Sequence, residues 1–496
     1  MVRRGDRRRN RRLVAGCRGD PTAHTPAGVS DSVVGEEGAV DIAVVILAAG
    51  EGTRMKSDLP KVLHPLGGRP MLEYSLETAR AMTEAPPVLI VGHGAESVTE
   101  AAGDDVVSIT QSPPLGTGHA VLQARDFLKN RAELVLVCYA DMPLLTGETL
   151  DRLVERQRER PGPMTLLTLM RDESRGFGRI IRDEDGSVVE IVEEAVATPE
   201  ELAVRELNAG VYCFEAGWLW DHVGEIPLSL PKEEYYLTDL VEMAAAEGRE
   251  VQAVVTENED ETLGINTRVH LAEAEGVLRG RINEEWMNAG VTLIDPATTY
   301  IHPGVTIGRD TVIQPGTHLL GATTIGRRCT IGPNAMIEDC TIADECAVVA
   351  SVLEHAVLER GSDVGPFSHL RRGARLCEDA HVGNFGELKN ATLGPGAKMG
   401  HFSYLGDAQV GAEANVGAGT VTCNYDGQRK HVTAIEEGAF IGSDTMLVAP
   451  VRVGRRARTG AGAVVTHDVP DGALVYGVPA RVQGEVEEDD DDQGQT

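Results

Sequence analysis

A six-residue repeat of aliphatic side chains runs through the second half of the chain. It begins at Ile307, Ile313 and Leu319, slips by one residue at Ile342, and continues to Val453. A period of six matches neither the 3.6-residue turn of an α-helix nor the two-residue alternation of a strand. It is typical of a parallel β-helix, in which each hexapeptide forms one short strand and one corner, and three hexapeptides complete a coil. The repeat therefore predicts a β-helix for the C-terminal half.

Short apolar runs alternate with helix-like stretches in the first half of the chain. The first run, residues 42–49, is continuous, as in a strand buried on both faces of a parallel sheet. This alternation predicts a doubly wound α/β domain. The further runs lie at residues 87–91, 134–139 and 164–169, and the helix-like stretches at 71–82 and 118–128.

The two patterns divide the chain into five segments. We expect residues 1–40 to be either a disordered extension or a segment included because the start of the protein was assigned too far upstream. Eight arginines lie in the first twenty residues, and ordered periodicity starts only near Ile42. A linking helix is expected because Leu271, Ala274, Leu278 and Ile282 share one face. The α/β domain is expected at 41–266, the linking helix at 267–290, the β-helix at 291–480 and an acidic tail at 481–496.

Composition limits the kinds of partner. The net charge of −31 at pH 7 disfavours nucleic-acid binding. No apolar run reaches the roughly 20 residues of a membrane-spanning helix. The eight cysteines form no Cys-x-x-Cys pair, which is typical of a reduced, cytoplasmic protein without structural zinc. We therefore expect a cytoplasmic protein with no nucleic-acid or membrane partner.

A glycine-rich segment follows the first apolar run. Residues 47–55 read LAAGEGTRM, and Lys61 lies a few residues further on. Glycines at a strand end let backbone N–H groups approach phosphate oxygens, and Arg54 and Lys61 can neutralise the phosphate charge. The segment lacks the Gly-Lys-Ser/Thr of a Walker A loop and the last glycine of Gly-x-Gly-x-x-Gly. Read alone, it is either a phosphate loop or a tight turn between a strand and a helix.

Two oxygen-bearing side chains are candidates for a cation site. Asp141 ends the run LVLVCYAD, at the carboxyl end of a predicted strand, where α/β sheets bind ligands. An aspartate there either caps a helix or, beside a phosphate loop, binds Mg²⁺. Asn266, in GINTR, offers a second oxygen from a distant part of the chain.

The β-helix half carries a second group of polar residues, between residues 382 and 427. The six-residue repeat stops after Val421 and resumes near Ile435, which predicts an inserted loop at 422–434. Contact with a neighbouring subunit is a common role of such a loop. His401 is the strong candidate for a general base, although a single histidine on a corner is also compatible with a structural role. Its imidazole could take the proton from an attacking amine while amide or backbone N–H groups hold a thioester oxyanion.

These motifs together resemble one enzyme family. The segments GEGTRM, HFSYLGDA, NVGAGT and CNYDG closely resemble those of the bifunctional N-acetylglucosamine-1-phosphate uridyltransferase/glucosamine-1-phosphate N-acetyltransferase family, from about Ile42 to about Val478. The resemblance implies a left-handed β-helix that assembles into a homotrimer. It implies that the C-terminal half acetylates glucosamine 1-phosphate from acetyl-CoA. The N-terminal half then uses UTP and Mg²⁺ to make UDP-N-acetylglucosamine, a precursor of bacterial cell-wall polymers.

The resemblance also assigns site residues. In the uridyltransferase half it implies nucleotide and sugar contacts, Mg²⁺ ligation by Asp141 and Asn266, and charge stabilisation by Arg54 and Lys61. In the acetyltransferase half it implies His401 as base, an acceptor site, and acetyl-CoA contacts. The nucleotide and sugar contacts are Leu47, Ala48, Ala49, Gly50, Lys61, Gln111, Gly116, Thr117, Tyr139, Ala140, Asp141, Gly178, Glu193, Asn208 and Asn266. The acceptor contacts are Arg371, Lys389, Tyr404 and Asn415, and the acetyl-CoA contacts are Ala418, Asn424, Tyr425, Ser443 and Ala461.

The chain departs from the family pattern at several positions. Ala140 and Ala209 stand where glycine and threonine are common beside the sugar, Ala195 where lysine is usual, and Arg372 where proline is frequent. The late CoA-contacting arginine has only Arg481 as a counterpart. Two alternatives therefore stay open: a sugar-1-phosphate nucleotidyltransferase whose β-helix only assembles subunits, or a bifunctional enzyme for a different sugar 1-phosphate.

Overall fold

The computed structural model describes residues 40–230 and 233–485, so the arginine-rich extension up to residue 39 and the tail from residue 486 lie outside it. The N-terminal half is an α/β domain around a mainly parallel sheet with the strand order β11-β7-β10-β6-β1-β4-β5. Strand β10 runs antiparallel between β6 and β7. The strands are β1 Val40–Ala48, β2 Pro65–Leu66, β3 Arg69–Pro70, β4 Val88–Val91, β5 Val107–Thr110, β6 Ala132–Tyr139, β7 Met164–Met170, β8 Arg179–Arg182, β9 Val188–Val192, β10 Glu206–Glu215 and β11 Gln252–Val255.

Alternate residues of β1 face two different cores, which explains its continuous apolar sequence. Val44 and Ile46 belong to one buried cluster, whereas Val45 and Leu47 belong to the other. Helices therefore cover both faces of the sheet, as predicted for a doubly wound domain. The helices are α1 Met71–Met82, α2 Ala95–Ala102, α3 Thr117–Gln123, α4 Arg125–Leu128, α5 Gly147–Glu159, α6 Pro199–Leu202, α7 Ala216–His222, α8 Asp239–Ala246 and α9 Arg268–Asn288.

Helix α9 joins the two halves of the molecule. Thr267 caps its N-terminus by accepting a hydrogen bond from His270 N at 3.2 Å. Its buried face, Ala274, Leu278 and Ile282, belongs to a hydrophobic cluster that runs from the α/β domain into the first coils of the β-helix. The two halves therefore share one continuous core. Across the described ranges, every helix is too short or too polar to span a lipid bilayer.

The C-terminal half is the predicted left-handed parallel β-helix, and within the described residues its strands stack into three sheets. The first sheet contains Thr292–Leu293, Val312–Ile313, Thr330–Ile331, Ala347–Val348, Asp363–Val364, His381–Val382, Lys398–Met399, Asn415–Val416, Phe440–Ile441, Arg458–Thr459, Ala473–Gly477 and Ala480–Glu485. The second contains Tyr300–Ile301, His318–Leu320, Met336–Glu338, Val352–Glu354, His369–Leu370, Gly386–Lys389, Ser403–Gly406, Val421–Cys423, Met446–Val448 and Val464–Val465. The third contains Thr306–Ile307, Thr324–Ile325, Thr341–Ile342, Val357–Leu358, Arg375–Leu376, Thr392–Leu393, Ala408–Val410, Thr433–Ile435 and Val451–Val453.

The six-residue repeat corresponds to the interior of this β-helix. Ile313, Leu319, Ile331 and Ile337 are all 0% exposed, whereas the residue before each of them is exposed or half-buried. Each short strand thus contributes one aliphatic side chain to a continuous internal stack. Burying an aliphatic side chain stabilises the fold by roughly 1.5–3 kcal/mol, so the repeat is the main stabilising element of this half.

The structure differs from the expected segments at two places. The inserted loop is shorter than predicted, because Val421–Cys423 and Thr433–Ile435 are strands and only residues 424–432 lie between them. The expected acidic tail begins later than residue 481, because Ala480–Glu485 forms a strand that pairs antiparallel with Ala473–Gly477. This hairpin covers the open edge of the first sheet, which accounts for the added strand.

Candidate active sites

The glycine-rich segment folds against Lys61. Gly52 has a φ of +63°, and a Cβ atom there would lie 2.7 Å from Lys61 Cβ, so the backbone conformation and the close approach both require glycine. The following turn, Thr53–Met55, exposes Arg54 and buries Met55. Arg268 Nε, at the start of α9, donates to the Met55 carbonyl at 3.4 Å. The loop is therefore held between Lys61 and the first turn of α9.

Lys61, Asp141 and Asn266 meet although they are far apart in the sequence. Lys61 Nζ donates to Asp141 Oδ2 and, at 3.1 Å, to Asn266 Oδ1. The Lys61 and Asp141 side chains are only 12% and 18% exposed. Ile265 N donates to the Asp141 carbonyl at 2.8 Å, which fixes the two segments side by side. Two oxygens from distant segments thus converge on one cationic atom.

This set of donors fits a magnesium ion. Mg²⁺ binds oxygen ligands and in nucleotide sites uses one or two carboxylates together with substrate phosphates. The carboxylate of Asp141 and the amide oxygen of Asn266 already converge on a cation, the Lys61 ammonium. Asp141 and Asn266 are therefore suited to hold Mg²⁺, provided that Lys61 Nζ leaves their contact.

The residues expected at the nucleotide form a rigid segment after β5. Gln111 Nε2 donates to the Gly116 carbonyl at 2.9 Å, and Thr117 Oγ1 accepts from Leu237 N at 3.0 Å. Gly116 has a φ of +97°, and a Cβ atom there would lie 2.6 Å from the Tyr235 carbonyl oxygen. These contacts fix the segment against residues 235–237.

Four further expected nucleotide contacts lie at the end of β1. The backbone of this segment is joined to the neighbouring strand end, since Ala140 N donates to the Leu47 carbonyl at 3.0 Å. Leu47, Ala48 and Ala49 are buried, and Gly50 is exposed. Contacts from Leu47, Ala48 and Ala49 to a ligand would therefore come chiefly through backbone groups.

Two neutral groups border this region. Burial raises the pKa of Tyr139, and the nearby Asp141 and Glu193 carboxylates raise it further, so its phenol stays protonated and can donate a hydrogen bond. Burial lowers the pKa of His119, whose Nδ1 lies 3.1 Å from Gln111 Nε2. His119 was not expected from the sequence. The only feature of the sequence that could have indicated His119 is its position two residues after Thr117.

Two of the three residues expected at the sugar are joined by a hydrogen bond. Asn208 N donates to the Gly178 carbonyl at 2.9 Å, and Asn208 Nδ2 donates to the Tyr212 hydroxyl at 2.8 Å. The Thr238 hydroxyl donates to Glu193 Oε1 at 3.5 Å. The structure therefore brings Asn208 and Gly178 together.

The two alanines expected beside the sugar are buried. Ala140 is 0% exposed and Ala209 is 2% exposed, and both methyl groups belong to the hydrophobic core. Their side chains do not line open space. The departures from the family pattern at these two positions thus concern core packing more directly than sugar recognition.

In the β-helix, the candidate base lies on a corner that carries several other expected residues. Lys398 pairs with Asn415, Asn415 with Phe440, and Phe440 with Arg458 in successive coils. Continuing this register by three residues places four site candidates in one column along the corner. From one coil to the next, these are His401, Ala418, Ser443 and Ala461.

His401 lies on the corner between the two sheets that carry the expected acceptor residues. Asn415 lies on the first sheet, in the coil after Lys398, and Tyr404 lies on the second sheet, directly after the corner. His401 itself is exposed. The exposed His401 imidazole thus lies on the corner between the sheet that carries Asn415 and the sheet that carries Tyr404.

A cleft on the second sheet contains the two expected phosphate-binding cations. Its volume is about 240 Å³, and Arg371 and Lys389 lie side by side in its wall, one coil apart. The next position in this column is Gly406, where a Cβ atom would lie 2.4 Å from the Tyr404 hydroxyl oxygen. The missing side chain at Gly406 thus leaves room for the Tyr404 hydroxyl beside the two cations. The cleft is lined by Glu338, Glu354, His355, Arg371, Arg372 and Lys389.

The loop at 424–432 is held by hydrogen bonds within the loop and by one to Asp407. Asn424 is buried and donates from Nδ2 to Asp407 Oδ2 at 2.5 Å, so its side chain anchors the loop. The backbone N–H of Arg429 and the His431 ring hold the pKa of Asp426 well below its usual range. Tyr425, in contrast, is 62% exposed and presents an open aromatic face. Of the two expected acetyl-CoA contacts on this loop, Tyr425 is the accessible one.

The counterpart of the late CoA-contacting arginine lies on the terminal hairpin. Arg481 pairs with Tyr476 across the two strands and is exposed. Its guanidinium donates to the neighbouring Ala480 carbonyl at 3.0 Å. Arg481 is thus available for a ligand, although it lies outside the corner column that carries His401.

Comparison with known proteins supports the family resemblance in both halves of the chain. Residues 44–177 match a MobA-like NTP transferase domain, and residues 432–467 match a hexapeptide repeat of succinyl-transferase. The chain is 47% identical over 448 residues to the bifunctional protein GlmU of Pelobacter propionicus, covering 90% of this chain and 97% of that protein. It is also 47% identical over 430 residues to the proteins of the same name from Exiguobacterium sibiricum and Heliobacterium modesticaldum. These two matches each cover 87% of this chain, and 96% and 94% of the respective relatives. The chain therefore belongs to the family of the bifunctional protein GlmU.

Proposed function

We propose that each half of the chain carries one of two consecutive reactions. The β-helix half transfers the acetyl group of acetyl-CoA to the amine of glucosamine 1-phosphate. The α/β half then transfers UMP from UTP to N-acetylglucosamine 1-phosphate, which releases pyrophosphate. Two observations support this assignment. In the α/β half, Lys61 contacts both Asp141 and Asn266. In the β-helix half, His401 lies in the corner column described above.

In the uridyltransferase site the nucleophile is already ionised. An oxygen of the sugar phosphate attacks the α-phosphorus of UTP, and pyrophosphate leaves, so no side chain needs to remove a proton. The protein contributes positioning and positive charge. We assign Arg54 and Lys61 to the charge that develops at the α-phosphate. Asp141 and Asn266 are the residues to hold Mg²⁺, which when bound neutralises phosphate charge.

In the acetyltransferase site the nucleophile is a neutral amine. The amine attacks the thioester carbonyl carbon, its proton passes to the His401 imidazole, and the thiolate of CoA leaves and is protonated. Arg371 and Lys389 hold the sugar phosphate, and Tyr404 and Asn415 orient the sugar from the two sheets that flank the corner. Ala418, Ser443, Ala461, Asn424 and Tyr425 are assigned to acetyl-CoA.

We further propose that the active form is a cytoplasmic homotrimer assembled through the β-helix. An aromatic column runs beside His401: Phe367, Phe385 and Phe402 are 62%, 57% and 56% exposed, and the first two rings stack with centroids 5.5 Å apart. Exposed aromatic side chains in a contiguous row are characteristic of an interaction surface. Covering this column with another copy would also enclose the corner on which His401 lies. Sedimentation of the purified protein tests this part of the proposal.

Two assays on one substitution test the assignment of the reactions. Release of free thiol from acetyl-CoA and glucosamine 1-phosphate reports the first reaction, and pyrophosphate release from UTP reports the second. His401→Ala should lower thiol release at least about 100-fold, as expected for loss of a general base, and leave pyrophosphate release unchanged. The matched control is His467→Ala, an exposed histidine in a later coil, which should change neither rate.

Three results would contradict the assignment. No thiol release by the unmodified protein would indicate that the β-helix serves only for assembly. A loss of both activities in His401→Ala would show that the two sites are not independent. Higher activity with another sugar 1-phosphate than with the glucosamine derivatives would change the substrate but keep the two-site arrangement.

A further inference from the structure

The cleft that holds the two proposed phosphate-binding cations contains a third one. Arg372 lines the same cleft of about 240 Å³ as Arg371 and Lys389. Proline is frequent at this position in the family pattern, so Arg372 adds a cation where that pattern often has none. Its position next to Arg371, at the exit of the second sheet, brings its side chain to the corner of the cleft.

A chain of hydrogen-bonding groups orients Arg372. One of its terminal nitrogens lies 3.1 Å from His355 Nε2, so the guanidinium donates to this ring nitrogen. The ring proton is then on Nδ1, which lies 3.7 Å from Asp339 Oδ2. Asp339 is itself fixed, because its Oδ1 accepts from Ala322 N at 2.9 Å. Three successive coils therefore set the direction of the Arg372 side chain.

The charge of Arg372 is also the more available of the two arginine charges. Arg371 forms an ion pair with Glu387 at 3.1 Å, which offsets part of its charge. The hydrogen-bonding partner of Arg372 is an imidazole nitrogen, and among the described residues no carboxylate lies within ion-pair distance of its guanidinium. A phosphate monoester carries nearly two negative charges at neutral pH. Lys389 and an Arg371 whose charge Glu387 partly offsets would leave part of this charge uncompensated.

We propose that Arg372 is a third phosphate-binding residue of the acceptor site and that His355 positions it. This inference rests on the proposed acetyl transfer to glucosamine 1-phosphate. The acceptor phosphate is then held by Lys389, Arg371 and Arg372 together. A guanidinium suits this role because its planar N–H groups can bind two phosphate oxygens at once.

Steady-state kinetics of Arg372→Gln test the inference. The KM for glucosamine 1-phosphate should rise about tenfold, the usual scale for losing one charge-assisted phosphate contact, while kcat stays within about twofold. Competitive inhibition of acetyl transfer by inorganic phosphate should weaken by a similar factor. The matched control is Arg375→Gln in the same coil, because Arg375 pairs with Glu359 on the third sheet, outside the cleft.

Further variants separate the inference from the proposed function. Arg372→Lys keeps the charge and should raise KM less than Arg372→Gln, and His355→Gln should raise KM without changing kcat. If Arg372→Gln has the same KM as Arg375→Gln while Lys389→Met raises it, Arg372 is not a phosphate-binding residue and the proposed function stands. If Lys389→Met also leaves KM unchanged, the assignment of the cleft itself is wrong. Pyrophosphate release by the other half verifies folding of each variant.

Discussion

Replacing Lys61 by methionine should have two opposite effects on the uridyltransferase half. The Lys61 ammonium contacts both oxygens that we assign to Mg²⁺, on Asp141 and Asn266. In the function that we propose, the ammonium competes with the metal before the nucleotide binds and supplies positive charge to the α-phosphate afterwards. We expect Lys61→Met to bind Mg²⁺ more tightly in the absence of UTP and to transfer UMP more slowly.

The burial of the pair sets the size of these effects. The two side chains are 12% and 18% exposed, so loss of Lys61 leaves the Asp141 carboxylate partly buried without a cation. Such a loss typically costs about 1–3 kcal/mol of stability. Since the ammonium no longer has to be displaced, Mg²⁺ affinity should rise about tenfold, which corresponds to about 1.4 kcal/mol. Loss of one charged group that stabilises the transition state should lower kcat about 100- to 1,000-fold.

Three measurements on one protein test this reasoning. Titration calorimetry with Mg²⁺ alone gives the affinity, the urea midpoint with and without Mg²⁺ gives the stability, and pyrophosphate release gives the rate. The control Lys129→Met removes the same charge from an exposed position after α4. Thiol release should be unchanged in both variants. If Lys61→Met binds Mg²⁺ more weakly than the unmodified protein, Lys61 does not compete with the metal and the reasoning is wrong.

Two further predictions concern stability. Ile331 is 0% exposed in the β-helix interior, so Ile331→Ala should lower the free energy of unfolding by about 2–5 kcal/mol. Thr330→Ala, on the outer side of the same strand, should change it by less than about 0.5 kcal/mol. Urea unfolding measures both effects, and equal effects would contradict the assignment of Ile331 to the interior. Burial lowers the pKa of His222, but the Trp218 carbonyl and the Glu247 carboxylate outweigh it, so its pKa lies above the ordinary value. His222→Gln should therefore destabilise the protein most below about pH 6.5, with the difference shrinking as the pH rises through the raised pKa; a difference that grows with pH in urea titrations would refute this.

The β-helix could be predicted from sequence because its stabilising contacts repeat locally. Each coil buries its own aliphatic residues, such as Ile331 and Ile337, so the period alone reports the fold. The ends of the repeat were less predictable. The strand Ala480–Glu485 contains charged residues and depends on pairing with Ala473–Gly477, which no periodic pattern reports.

The sites were less accessible to sequence reasoning, since they depend on contacts between distant segments. The sequence placed Asp141 at the end of a strand and named Asn266 as a second oxygen from a distant segment, but the contact of Lys61 with both arises only from folding. Arg268 supports the glycine-rich loop through the Met55 carbonyl, and this residue was not identified from the sequence. The buried Ala140 and Ala209 show the same limit, because adjacency to a site residue did not reveal which way a methyl group points.

The distance between the two proposed sites, measured along the β-helix, has a kinetic consequence. Between Tyr300–Ile301, the first strand of the second sheet, and Gly386–Lys389, which carries Lys389, lie five strand-to-strand steps. At about 4.8 Å per step, Lys389 of the proposed acetyl-accepting cleft lies roughly 24 Å along the β-helix from the first strand of the second sheet. A sugar phosphate made there cannot be passed on by the swing of a side chain or by a loop closing. It must diffuse through solvent to the second site, so the bulk concentration of the intermediate, rather than direct transfer, governs how fast the second reaction follows the first.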